Sequence, residues 1–217
     1  MQLSIREPGS AITHFTAMLL AAGSAIPLLI KSATKGPQYL VAMSIFIVSM
    51  ILLYGASATY HSVTSSPEKI KKLKKVDHMM IFVLIAGSYT PICMVVLDHK
   101  WGYPLLIIVW SIALLGIVIK ALWIYCPKWF SSVLYIAMGW LCLLVFGPIV
   151  KTLPLSAFLW LLIGGILYTV GGVIYALKLE IFNNKHKYFG SHEIFHVFIM
   201  AGSFCHFIFM YQYVIGL

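Results

Sequence analysis

Apolar residues in this chain do not mark one stripe of a helix or alternate positions of a strand. They fill seven long runs, near residues 12–31, 39–62, 76–97, 103–124, 131–150, 155–177 and 192–214. Each is close to the roughly 20 residues a helix needs to cross a bilayer. A helix that is apolar on every side is buried or faces lipid. The pattern predicts an all-α fold, a polytopic membrane protein with seven transmembrane helices. The connections are short and leave no room for a soluble domain, so residues 1–217 read as a single seven-helix membrane domain.

Composition agrees. Of 217 residues, 61% are hydrophobic and 10% charged, against about 25% charged in ordinary soluble domains. The formal charge of +9 comes from 15 Lys and Arg against 6 Asp and Glu. Most of the basic residues lie in the gaps between apolar runs, where they act as topology determinants. No basic and aromatic surface segment argues for nucleic acid. Cys93, Cys126, Cys142 and Cys205 are widely spaced, form no C-x-x-C and lie in or beside apolar runs, which reads as packing. Arg6 before the first run and the small residues AAGSA raise the question of a signal peptide. Glu7 and the continuation of the run past AAGSA favour an uncleaved first helix.

Proline and glycine refine the elements. Pro37, Pro67, Pro104, Pro127 and Pro154 fall near run ends, whereas Pro27, Pro91 and Pro148 lie inside runs and are candidate kinks. The pairs Gly164-Gly165 and Gly171-Gly172 are seven apart and predict close helix packing.

With the N-terminus in the cytoplasm, the inner side carries eleven Lys and Arg (Arg6, Lys69, Lys71, Lys72, Lys74, Lys75, Lys120, Lys128, Lys178, Lys185 and Lys187). The outer side carries four: Lys31, Lys35, Lys100 and Lys151. The excess predicts N-inside and, after seven spans, C-outside in the cell (plasma) membrane. EKIKKLKK, between the second and third runs, is its strongest element and a candidate anionic-lipid contact.

Ionisable residues inside spans are functional candidates. Ser57 and His61 are four apart near the inner end of helix two and share a face. VDHMM puts Asp77 and His78 in the first turn of helix three, with His78 about 100° round from Asp77 and expected to face elsewhere. His192 and His196 are four apart where helix seven begins. The topology therefore brings Ser57, His61, Asp77, His192 and His196 to one depth. His61, His192 and His196 supply three imidazoles, the usual protein ligand count of a catalytic Zn²⁺. A zinc ion lowers the pKa of its bound water to about 7. Asp77 is the candidate base or supporting carboxylate, and Ser57 a hydrogen-bond donor to developing charge. His206 lies about 15 Å deeper than His196 and is expected to stay outside such a site. His14 either reaches it or turns to the interface.

The string S191-H192-E193-I194-F195-H196 contains H-E-x-x-H, which on a helix marks zinc proteases. Here Glu193 sits at the water boundary, and a protease would need a peptide groove. E-x-x-H is half of a di-iron motif, but a second copy is missing. A zinc site assembled from helices two, three and seven fits better.

S57-A-T-Y-H61, Asp77 and S191-H-E-I-F-H196, on seven spans, together resemble the hemolysin III family, the bacterial branch of the progestin and adiponectin receptor superfamily. The resemblance covers essentially the whole chain. It implies zinc at His61, His192 and His196, with supporting roles for Ser57 and Asp77. The superfamily includes alkaline ceramidases, so the resemblance suggests zinc-dependent hydrolysis of lipid amides, with membrane lipids as partners, or maintenance of membrane homeostasis. Glu7 and His14 look like the N-terminal motif of bacterial members, to which no role is assigned. The alternatives are a membrane-perturbing hemolysin and a non-catalytic sensor of membrane state with structural zinc. Short loops and the lack of a water-lining polar helix face speak against a wide pore. Oligomeric state is not specified by the sequence.

Overall fold

The computed structural model describes residues 5–177 and 190–217, and the described residues form helices and short connections without strands. The helices are α1 (Pro8–Ala33), α2 (Pro37–Ser62), α3 (Pro67–Pro91), α4 (His99–Leu122), α5 (Lys128–Gly139), α6 (Phe146–Thr152), α7 (Leu155–Leu177) and α8 (Ser191–Ile208). Seven segments are long and apolar enough to cross a membrane, with α5 and α6 together making the fifth. Large apolar side chains face outward along them, among them Ile12, Leu20 and Ile26 of α1 and Ile107 and Leu115 of α4. The chain is a multi-pass membrane protein.

Proline at the first position opens α1, α2 and α3, where its missing N–H costs no hydrogen bond. Gly36, with φ of 121°, precedes α2 in a conformation L side chains rarely adopt. Inside the membrane, proline has a different effect. Pro91 cannot donate to the carbonyl four residues back, and the helix widens into a π segment, Ile92–Val96. In the fifth span, Pro148 deprives the Leu144 carbonyl of its partner, and Trp140–Val145 tightens into a 3₁₀ stretch between α5 and α6. Tyr89 of α3 braces that stretch. Its hydroxyl donates to the Gly139 carbonyl at 2.6 Å and accepts the Cys142 N–H at 2.9 Å. Backbone groups freed by an irregular turn need such partners in lipid.

Consecutive helices α1 to α4 pack in sequence, α5 packs on α7, α7 on α8, and α8 returns to α1; α3 also touches α5. The glycine pairs divide their work. Gly164 lies under the His206 ring and Gly171 under Phe198, so that α7 and α8 approach closely. Gly165 and Gly172 turn to a cavity between α3, α5, α7 and α8.

The third helix differs from the expected boundary. α3 begins at Pro67, so EKIKKLKK is helical and Asp77 lies about 15 Å along the helix rather than in its first turn. The lysines extend α3 beyond the apolar run because Lys is a good helix former. Lys178, Lys185 and Lys187 fall outside the described residues.

Candidate metal centre

The end of the bundle where α2, α4 and α7 finish and α1, α3, α5 and α8 begin gathers the polar side chains. His61 and His196 are buried and His192 is partly buried. One nitrogen from each lies within 4.8 Å of the other two. Nε2 of His192 is 3.3 Å from Nε2 of His61. Two imidazole nitrogens held tetrahedrally at 2.0–2.1 Å from one ion stand about 3.3 Å apart, so this pair already has ligand spacing. The His196 ring centroid is 5.2 Å from that of His61 and 4.5 Å from that of His192. The three histidines could hold a metal ion.

The remaining ring nitrogens support that fit. Nδ1 of His61 contacts the Glu7 carboxylate, which accepts only; His61 therefore carries its proton on Nδ1 and keeps the Nε2 lone pair free. Nδ1 of His196 is 3.2 Å from Thr13 Oγ1. The Thr13 hydroxyl gives its hydrogen to the carbonyl of Ser10 or Gly9, at 2.9 and 3.0 Å, so it accepts from His196 and again leaves Nε2 free. Orienting partners of this kind are the usual company of metal-bound histidines. Glu7 is held in place by its own backbone, whose N–H donates to the His61 carbonyl at 3.0 Å. Arg6 pairs with it at 3.4 Å and lies over the Tyr60 ring. The hydrogen bond from His61 holds the Glu7 carboxyl below its ordinary pKa, against the opposing effect of its partial burial.

Asp77 is buried, with the Ser57 side chain beside it. Both line a cavity of about 140 Å³, together with His192, His196 and His14. His78 lines the same cavity. The expectation that it faces elsewhere fails because the wall is built from several helices and wraps the α3 surface on both sides of Asp77. Apolar and aromatic residues continue the lining past Tyr135 and Tyr168 to His206. A second cavity of about 110 Å³ shares Ser88, Tyr89, Trp140 and His206 with the first. His206 thus lies deep in the bundle, away from the three histidines, as its depth predicts.

Glu193 has a local task. Its Oε2 accepts the Gly190 N–H at 2.8 Å and its Oε1 accepts the Ser10 hydroxyl at 2.5 Å. It closes the first turn of α8, with one half of a capping box, since Gly190 has no side chain to return the bond. His14 is buried and stacks on His196, with centroids 3.5 Å apart and planes at 8°. Sequence reasoning left Glu7 and His14 without roles and passed over Ser10 and Thr13. The signal was present, because Glu7, Ser10, Thr13 and His14 recur at helical spacing at the start of α1.

Fold and site define a class: seven-helix membrane proteins with a histidine cluster at one end of the bundle. A family model described as "Haemolysin-III related" matches residues 3–207, and the chain belongs to that family. It is 39% identical over 198 residues to the "Hemolysin-3 homolog" of Bacillus subtilis (strain 168), spanning 91% of this chain and 89% of that protein. It is 35% identical over 198 residues to "Hemolysin-3" of Bacillus cereus, covering 91% and 86%. A more distant similarity, 23% over 235 residues, reaches the "Adiponectin receptor protein" of Drosophila melanogaster, covering 93% of this chain and 49% of that protein.

Proposed function

We propose that this protein is a zinc-dependent hydrolase of membrane lipids, acting on lipid amides at the cytoplasmic leaflet. The observation that carries the reading is a single cavity lined at one end by His192, His196, Asp77 and Ser57 and along its length by apolar side chains. Such a lining suits the polar end of a lipid against the histidines, with apolar walls for the carbons that adjoin it. Among the described residues, the histidine end carries Arg6, five lysines of α3, Lys120 and Lys128, and the other end Lys31, Lys35, Lys100 and Lys151. This bias supports a cytoplasmic site.

His61, His192 and His196 would hold the ion through Nε2 of His61 and His196 and a ring nitrogen of His192. A bound Zn²⁺ supplies Lewis acidity and an activated water at neutral pH. Asp77, at the cavity wall, takes up a proton from water and returns it to the departing amine. Ser57 holds the Asp77 carboxylate by its hydroxyl and fixes where that proton is received. Apolar walls exclude bulk water and strengthen each of these interactions.

The test is metal analysis and lipid turnover of the purified, reconstituted protein. Asp77→Ala is expected to retain metal and lose turnover, whereas His192→Ala loses both. Metal content unchanged in His192→Ala sinks the site, and turnover unchanged in Asp77→Ala sinks the chemistry. The name of the Bacillus cereus relative favours one other reading, membrane lysis. Dye release from vesicles that persists after loss of all three histidines would support it.

A further inference from the structure

The cavity holds polar atoms that neither the ion nor the proton path uses. His14 of α1 is 3% exposed, and neither ring nitrogen has a hydrogen-bond partner. Ser132 of α5 is also 3% exposed, with an unpartnered hydroxyl, and Nδ1 of His78 on α3 is unpartnered as well. All three side chains line the cavity that His192 and His196 also line. Leaving a buried polar atom without a partner costs about 1–3 kcal/mol. Four such atoms, on three residues of one cavity wall, point to an occupant that completes them.

His14 is not a further metal ligand. Its ring lies parallel to that of His196, so the in-plane lone pairs of the two rings run side by side and do not converge on one ion. The occupant is also not strongly charged at this point. Among the described residues no lysine or arginine lines the cavity, and Asp77 does; in the metal-free protein an anion would therefore be buried beside a like charge without a counter-ion. Neutral imidazole offers one donor and one acceptor, and serine offers both. Their natural complement is a group that also donates and accepts, namely an amide or a hydroxyl.

We propose that His14, His78 and Ser132 form a headgroup subsite at the histidine end of the cavity, which takes an uncharged lipid head bearing amide and hydroxyl groups. The subsite rests on the lipid-binding reading above, but it does not require turnover. It makes the cavity selective for polar, uncharged heads over heads that lack a donor, because a site built to hydrogen-bond a donor disfavours a ligand without one.

The test is binding to the full chain in detergent micelles, stripped of metal by chelation. The probes are a tail-labelled fluorescent N-acylethanolamine and two analogues, one with the hydroxyl removed and one with the amide replaced by an ester. The wild type is expected to bind the parent about tenfold more tightly than either analogue. His14→Phe keeps a ring to stack on His196, and Ser132→Ala removes only the hydroxyl. Each is expected to weaken the parent about tenfold while metal stoichiometry on reloading stays unchanged. The wild-type protein gives a second readout, in which the parent shifts the His14 imidazole nitrogen resonances and the ester shifts them less. Equal binding of all three probes by the wild type, or parent binding unaltered in both variants, overturns the subsite and leaves the lipid reading standing. Failure of the wild type to bind any of the probes overturns both.

Discussion

The Ser10 hydroxyl lies 2.5 Å from Oε1 of Glu193, joining the first turn of α1 to the first turn of α8. That contact, with the Glu193 bond to the Gly190 N–H, gives the glutamate of the H-E-x-x-H string a structural use at the helix start.

Glu193 is therefore expected to matter for stability. Glu193→Ala should cost about 1 kcal/mol, the usual worth of a cap, seen as a lower melting temperature in detergent. Metal stoichiometry should be unchanged. A loss of metal-dependent turnover by several orders of magnitude, with folding intact, would restore the protease-like reading.

Glu7, just before α1, and Thr13, on its second turn, orient two of the three histidines. Loss of such an outer partner typically costs 10–100-fold in metal affinity. Glu7→Gln should weaken metal binding within that range, measured by chelator competition. Thr13→Val should act in the same direction. Affinities equal to the wild type for both would show that the ring orientations are fixed by packing alone.

Metal removal should loosen the bundle at one end. His61 belongs to α2, and His192 and His196 to α8, so an ion holding all three cross-links two helices that are far apart in the chain. A ligand that binds only the folded state stabilises it by mass action. Chelation should lower the melting temperature of the wild type and leave His196→Ala unmoved. Ligation needs neutral imidazoles; protons therefore compete as pH falls, and the stabilisation by added metal should fade on acidification.

Gly165 offers a way to close the cavity without touching the histidines. A Cβ at this position meets no atom within 4 Å, and the residue lines both cavities. Gly165→Leu should fold, keep its metal and bind long-chain lipid probes at least about tenfold more weakly. The same substitution at Gly164 should instead destabilise, because a side chain there runs into the His206 ring. Equal effects at both positions would mean that the cavity is not a binding space.

Much of this was legible in the order of residues alone. Seven unbroken apolar runs leave a chain no alternative to spanning helices, because lipid satisfies no backbone hydrogen bond. The i,i+4 spacing of His192 and His196 fixes them on one helix face in any fold, and the alternation of spans brings His61 to their end of the bundle. The start of α3 was not legible, since a lysine-rich stretch reads equally as loop or as helix extending into water. Nor was the place of His78, because a helical angle says which way a side chain points but not which neighbours wrap around to meet it. Spacing puts Glu7, Thr13 and His14 on one side of the chain at the start of α1, but the partners they meet lay hidden for the same reason. They depend on α1 packing between α2 and α8, and on Glu7 pairing its backbone with the last turn of α2. The sequence determined which groups stand at which depth, because depth follows from counting residues along spanning helices. Only the tertiary structure decided which of them touch, because rotation and lateral packing of helices in lipid are set by the close contacts of small residues such as Gly164 and Gly171.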